Sequence, residues 1–530
     1  MHELLLQPGF RFIGRTLVHL VLASIVTVPL AFYVGRRYRR AIAQWMRAGL
    51  PMPPDLPPPP PRREAPLDCR FTDVLESVAL PPIAAATARG ARRKAWNAAS
   101  VYGVAGLLHA AATTALIAAA DPGRYIATTL LALFFVLAWP TSLMVGRVAL
   151  ASRRMRWAGP AALTALAVLF AGAPHLALMW TMWRLYVLVP VLLMLAVAHR
   201  RIRTVGLLLF PSVLLVVSSA RHAQLTGPPL AELKGLAAGA LALGAALLLL
   251  RGLGRLAERN RLSELNITLG LQWLLLTLCQ GFCLAVTTGR LTVVLLLPFL
   301  LSIAAVWAGN LATRRHEPGN RKLLLLRTFG ARTRSERLLD EIGVHWRRLG
   351  SLQLIGAPDV AAVNLDPRAF LALITGRLRS LFVENEAALD RRLAELHFDR
   401  GPDGRFAVNE LYCFAHIWRE AVLRLADSSA AVLMDLRAFT PQRAGCVQEL
   451  RLLIDRVPLS RIIFLTDETT QRDYLCRVLQ RIWHERSPHS PNHDAVGVEL
   501  LHISSSRPRA VRRLLERLCA AAVADDTTSR

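Results

Sequence analysis

The sequence predicts two structural classes in series: an α-helical transmembrane bundle of about nine spans, then an α/β domain built on a parallel sheet. Three observations carry this. Apolar residues make up 53% of the 530 and charged residues 19%, against about 25% charge in an ordinary soluble chain. Long uninterrupted apolar runs fill residues 1–313, whereas residues 314–530 alternate short apolar runs with amphipathic stretches. The formal charge of +27 is unevenly divided: residues 1–313 hold 30 Lys/Arg and 10 Asp/Glu, net +20, and residues 314–530 hold 34 and 27, net +7. A net +7 spread over the second part is too diffuse for a nucleic-acid surface, so no nucleic-acid partner is expected.

A helix needs about 20 apolar residues to cross a bilayer. Nine stretches approach this: 16–35, 99–120, 125–146, 159–179, 180–198, 205–220, 235–250, 267–289 and 291–312. The loops between them alternate in charge as the positive-inside bias requires. Arg36, Arg37, Arg39 and Arg40 follow the first span, Arg147, Arg153, Arg154 and Arg156 the third, Arg200, Arg201 and Arg203 the fifth, and Arg251, Arg255, Arg259 and Arg261 the seventh. Of the 30 basic residues before 314, only Arg11, Arg15, Arg124, Arg184, Arg221, Lys234 and Arg290 fall on the other side, a split of 23 to 7. The expectation is a multi-pass protein of the bacterial inner membrane, with the lipid bilayer as partner, its N-terminus outside and residues 314–530 in the cytoplasm. The first span has no small-residue cleavage site and reads as a retained anchor.

Residues 36–98 form a cytoplasmic segment whose part 51–66, PMPPDLPPPPPRREAP, favours polyproline II and reads as a spacer. Within the spans no Asp, Glu or Lys lies at mid-membrane. His109 in the second span reads as an interhelical hydrogen-bonding group, with a proton relay as the alternative that a small-solute transporter would need. The seven cysteines share no CxxC spacing and point to neither a disulfide framework nor a zinc site. No metal site is expected. His489 and His493 lie in the loop SPHSPNHD, with no helix to align them.

After residue 315 the strand candidates are 322–329, 352–358, 430–436, 461–466 and 496–503, most of them runs dense enough in apolar residues to be covered on both faces. Helices fit between them at 335–349, 416–426, 446–454, 471–483 and 508–522, with two more at 367–382 and 386–397 inside a long insertion. Residues 314–530 are long enough to form a domain with its own core. Ligands of open parallel sheets bind beyond the carboxyl ends of the strands. The candidate ligand-binding residues there are Arg327, Phe329, Asp359, Asp435, Arg437 and Asp467, although Asp is also a common loop and cap residue at such positions. No GxxxxGK[ST] and no GxGxxG is present, which removes the P-loop and dinucleotide-binding motifs.

One stretch carries a resemblance. Residues 417–450, IWREAVLRLADSSAAVLMDLRAFTPQRAGCVQEL, place a helix, a serine-containing turn, an apolar strand and a loop before Cys446, Glu449 and Leu450. The last three match the Cys, Glu and Leu of the WCxxEL helix start in the TIR domain family, with Gly445 where that motif has Trp. With LLLLRTF directly after the last span, the chain resembles bacterial polytopic membrane proteins that end in a divergent TIR-like cytoplasmic domain. The resemblance implies a flavodoxin-like sheet, signalling by self-association as a homo-oligomer or by nucleotide binding, and, in some members, hydrolysis of NAD at the nicotinamide–ribose bond. In those members the glutamate of the motif is catalytic, which here is Glu449. NAD would be a substrate, and no other cofactor is implied. The loop GAPDVAAVNLDP after the second strand departs from the family's Pro-Gly turn, and the insertion 366–414 is unlike a compact TIR domain.

Overall fold

The computed structural model describes residues 8–47, 67–76, 82–120, 123, 126–146, 155–182, short pieces between 205 and 252, 263–288, 293–313, 320–327, 342–355, 378–401, 403–441, 446–504 and 508–528. Its eight strands are β1 (Asp68–Asp73), β2 (Leu323–Arg327), β3 (Leu352–Ile355), β4 (Phe382–Val383), β5 (Val408–Cys413), β6 (Ala431–Asp435), β7 (Ile462–Thr466) and β8 (Gly497–His502). The longer helices are α1 (Pro8–Arg47), α2 (Pro82–Ala120), α3 (Ala127–Met144), α4 (Met155–Met182), α5 (Glu264–Thr288), α6 (Leu297–Thr313), α7 (Glu386–Ala394), α8 (Ala415–Asp427), α9 (Val447–Arg456), α10 (Arg472–His484) and α11 (Pro508–Thr528).

All eight strands join one sheet in the order β1-β8-β7-β6-β2-β3-β5-β4, and every pairing is parallel. The five strands expected from sequence are its centre. In β2, β3, β6 and β7 the side chains are buried almost without interruption, as a sheet covered on both faces requires, whereas β8 exposes Glu499. One face packs on α7, α8, α9 and α10, through Leu389, Val422, Leu450 and Leu475 among others. The other packs on α11 and on the first half of α2, where Ala84, Ala88 and Ala91 share a core with Leu323, Leu325, Leu514 and Leu518.

That second face places the sheet and the apolar helices in one unit. The 39 residues of α2 extend roughly 58 Å at 1.5 Å per residue. The first turns cover the sheet, and the same helix continues through residues 99–120 as an apolar rod. β1, six residues just past the proline run, adds the outer edge beside β8, so residues 67–98 complete an α/β unit that a boundary at 314 leaves short of one strand and one covering helix. Two small residues allow these approaches: a Cβ on Gly497 would lie 2.6 Å from the Asp68 carbonyl oxygen, and one on Gly106 would overlap Thr141 of α3.

The nine-span expectation is not supported. Among the described residues, two helices are long and apolar enough to cross a membrane, Pro82–Ala120 and Ala127–Met144. Within α4, α5 and α6 the described apolar stretches, Trp157–Ala171, Leu265–Thr277 and Leu297–Ala312, are shorter than 18 residues. The expected spans 180–198, 205–220 and 235–250 lie largely outside the described residues, as does the proline run. Some polar groups between the helices are paired: His109 Nε2 lies 3.0 Å from Thr277 Oγ1, and Thr113 donates to Gln280 Oε1 at 3.2 Å. This is the interhelical hydrogen bond expected for His109. Trp273 Nε1 donates to Thr141 Oγ1 at 3.0 Å.

Two polar contacts tie these helices to the sheet domain. Tyr38 at the end of α1 donates to the Tyr412 hydroxyl of β5 at 2.9 Å, in a buried setting. Ser263, directly before α5, donates to Asp403 Oδ2 at 2.6 Å. Asp403 also takes the Arg405 guanidinium at 2.6 Å, and its backbone carbonyl accepts from Arg348 at 2.7 Å. Burial pushes the Asp403 carboxyl up, but Arg405, with Arg347, Arg348 and the Ser263 hydroxyl, outweighs it and holds the group well below the usual carboxylate range.

Candidate functional site

From β2 the chain adds β3, crosses to the outer edge as β4 and comes back between them as β5, then passes to the other side of β2 with β6 and continues to β7 and β8. The direction reverses between β2 and β6, and such a switch point opens a crevice at the carboxyl ends of the strands. The two strands end in register there, Arg327 opposite Asp435. Of the residues expected at this end, Phe329 and Asp359 lie outside the described residues, as does Gly445. The structure brings together Arg327, Asp435, Arg437 and Asp467, and buries Glu449 in the first turn of the helix that follows β6.

Asp435 is fully buried and holds Arg437 by two hydrogen bonds of 2.7 Å, one to each carboxylate oxygen, with the Arg437 backbone N–H adding a third at 3.2 Å. Burial pulls the Arg437 guanidinium down, but Asp435, with a smaller contribution from Asp467, raises it above its ordinary value. The bidentate pair fixes the turn after β6. Ala438 stands there at φ 58°, a left-handed conformation uncommon for a residue with a Cβ. Phe439 follows, buried and stacked on Tyr474 with centroids 5.5 Å apart. Asp467 is committed in the same way. Its Oδ1 accepts from the Thr469 N–H at 2.9 Å and from the Thr469 hydroxyl at 2.5 Å, and Thr470 bridges to the Leu436 carbonyl at 3.0 Å. These two carboxylates shape the loops that frame the crevice.

Glu449 differs. It sits in the first turn of α9, where a carboxylate is favoured by the helix macrodipole, yet it is 2% exposed and its Oε2 has no hydrogen-bond partner. Burial pushes it up to about 8, against the weaker pull of a backbone N–H. At neutral pH it is a neutral acid in apolar surroundings. Cys446, just before α9, is raised by burial first and then by the charges of Glu449 and Asp435. A buried acid with an unsatisfied oxygen at a switch point can donate a hydrogen bond to a ligand oxygen. Once ionised it can stabilise a developing cation.

Sequence reasoning missed Thr470, which links the β6 and β7 loops, and the Asp403–Arg405–Arg348 cluster under the helices. The Asp435–Arg437 pair had a signal, since residues two apart at a strand end share a side. Asp403 and Arg405 have the same spacing, but Arg348 and Ser263, which complete that cluster, lie 55 and 140 residues from Asp403 and gave no signal. Among the described residues no group of three or more His, Cys, Asp or Glu could hold a metal ion. Compared with known proteins, the chain matches no family model, no curated protein and no solved structure.

Proposed function

We propose that this is an integral protein of a bacterial inner membrane whose cytoplasmic, TIR-like α/β domain acts in signalling or as an effector, by binding a nucleotide at the switch point and by self-association. The observation that carries the reading is α2, one helix that is a covering layer of the sheet at its start and an outward-facing apolar rod at its end. Val104, Leu107 and Leu108 on its upper part are exposed, as are Leu131, Leu169, Leu300 and Trp307 on α3, α4 and α6. An apolar surface of this extent calls for lipid or protein cover. Contacts to the sheet come from the end of α1, the start of α2 and the start of α5, the helix ends beside the arginine-rich loops, in keeping with a cytoplasmic sheet domain.

The TIR-like assignment draws on strand order as well as on Cys446, Glu449 and Leu450. The five central strands, in the order β3-β2-β6-β7-β8, follow the flavodoxin-like pattern 2-1-3-4-5, and Glu449 opens the helix after the third of them. The test is titration of the full chain, in lipid nanodiscs, with NAD and with ATP, followed by thermal shift and by mass from light scattering. A saturable rise in Tm that Arg327→Ala weakens at least tenfold supports nucleotide binding. Flat titrations with both nucleotides and an unchanging monomer mass overturn the reading.

A second reading, NAD hydrolysis through Glu449, is favoured by that residue's buried and unpartnered carboxyl oxygen. As a carboxylate it would hold the ribose hydroxyls and stabilise an oxocarbenium ion as the nicotinamide leaves. Nicotinamide release from NAD, abolished by Glu449→Gln and rising as pH passes about 8, is the expected result; release unaffected by the substitution removes this reading.

A further inference from the structure

β1 meets α10 in three rungs. The Leu67 N–H donates to Gln480 Oε1 at 2.8 Å, the Arg472 guanidinium lies 4.8 Å from the centre of the Phe71 ring, and the register between these two contacts sets Cys69 opposite Cys476. The spacing is regular. Residues 67, 69 and 71 are two apart on a strand, about 6.6 Å per step, and residues 480, 476 and 472 are four apart on a helix, about 6 Å per step. The strand and the helix face run antiparallel with matching repeats, and the two cysteines form the middle rung. Both are half-buried and reduced.

We propose that Cys69 and Cys476 form a reversible disulfide that locks the edge strand β1 onto α10. The oxidant is a low-molecular-weight disulfide. One protein thiolate attacks it and releases the first thiol, and the second protein thiolate then attacks the sulfur of the mixed disulfide and releases the second. Two protein S–H bonds are lost, one S–S bond forms between the cysteines, and the two protons leave with two small thiols. Burial, followed by the neighbouring Cys476, pushes the Cys69 thiol up to about 12. The pair therefore stays reduced until such an oxidant engages it.

The lock acts on the connection to the membrane helices. β1 continues through Val74, whose N–H bonds to the His502 carbonyl at 2.9 Å, and α2 begins at Pro82. Fixing β1 fixes the chain eight residues before the helix that covers the sheet. In the reduced form β1 is an edge strand paired on one side only, the kind of element that opens locally at low cost.

The experiment uses the full chain in lipid nanodiscs, treated with oxidised glutathione, quenched with iodoacetamide and mapped by mass spectrometry. The expected product is an intramolecular Cys69–Cys476 link at least tenfold more abundant than any other cysteine pair and reversed by dithiothreitol. Hydrogen exchange across residues 68–73 should slow at least tenfold in the same wild-type sample, a readout that needs no variant. Cys476→Ala should lose both effects. Glutathione mixed disulfides without the link, a link between other cysteines, or a link that leaves exchange in β1 unchanged would each overturn the proposal.

Discussion

Replacing Glu449 with Gln should stabilise the protein by an amount that grows with pH. Burial raises the carboxyl from 4.5 to about 8. The folded protein therefore holds a proton on Glu449 that the unfolded chain releases above pH 4.5. For a group raised in this way, the stability is full below the unfolded value and is lost as pH rises through the folded one. The loss accrues at about 1.4 kcal/mol per pH unit between pH 4.5 and about 8, which is about 3 kcal/mol at pH 7 and under 1 at pH 5. Glutamine keeps the shape and cannot ionise, so it removes the slope. Thermal unfolding of the full chain in nanodiscs at pH 5, 7 and 8 is the assay. For a unit of this size about 3 kcal/mol corresponds to a rise of roughly 6–12 °C at pH 7, with the two proteins converging at pH 5. Parallel curves across this range, or a wild-type protein that gains on the variant as pH rises, would refute the assignment of Glu449 as a buried neutral acid.

Asp403→Asn should behave in the opposite sense. It leaves Arg405 buried without its carboxylate and takes a negative charge from beside Arg348, whose bond to the Asp403 backbone carbonyl remains, at a cost of about 3–5 kcal/mol visible as a lower Tm. Because the folded carboxyl is held below its ordinary value, the wild-type advantage is present at neutral pH and shrinks only as pH falls below about 4. Gly497→Val would press a side chain against the Asp68 carbonyl and should free β1 from β8, seen as faster exchange at residues 68–73 and a loss of about 1–3 kcal/mol. A fragment of residues 314–530 should aggregate, with β8 left as an open edge and the Leu514–Leu518 face uncovered, while the same fragment with residues 67–98 supplied in trans should be soluble by size exclusion; solubility of the short fragment alone contradicts this.

What the sequence made legible follows from how each element buries itself. β2, β3, β6, β7 and β8 are dense in Leu, Ile and Val because both faces are covered, and all five were found. β5 was missed because Asn409 and Glu410 interrupt its apolar run. Asn409 is buried all the same, exchanging hydrogen bonds with the His397 backbone at 3.1 and 3.0 Å. β1 reads DCRFTD, and its alternation of charge is that of an edge strand, indistinguishable in sequence from a loop beside a proline-rich run. The first half of α2 was hidden for a different reason. Its buried stripe is alanine, which covers a sheet closely but gives little hydropathy signal next to Arg89, Arg92 and Arg93. In the site, the sequence located the strand ends. It could not show that Asp435 and Asp467 bind their own loops and that Glu449 is turned into the core, since those facts depend on packing.

The central claim is that α2 serves the sheet and the membrane as one helix. Carbene labelling of the full chain in a bilayer with a lipid-partitioning diazirine, mapped residue by residue, tests it most directly. The account predicts strong labelling at Val104, Leu107 and Leu108 and none at Ala84, Ala88 or Ala91, which the sheet covers. Labelling along the whole of α2, or absent from its upper half, would contradict it.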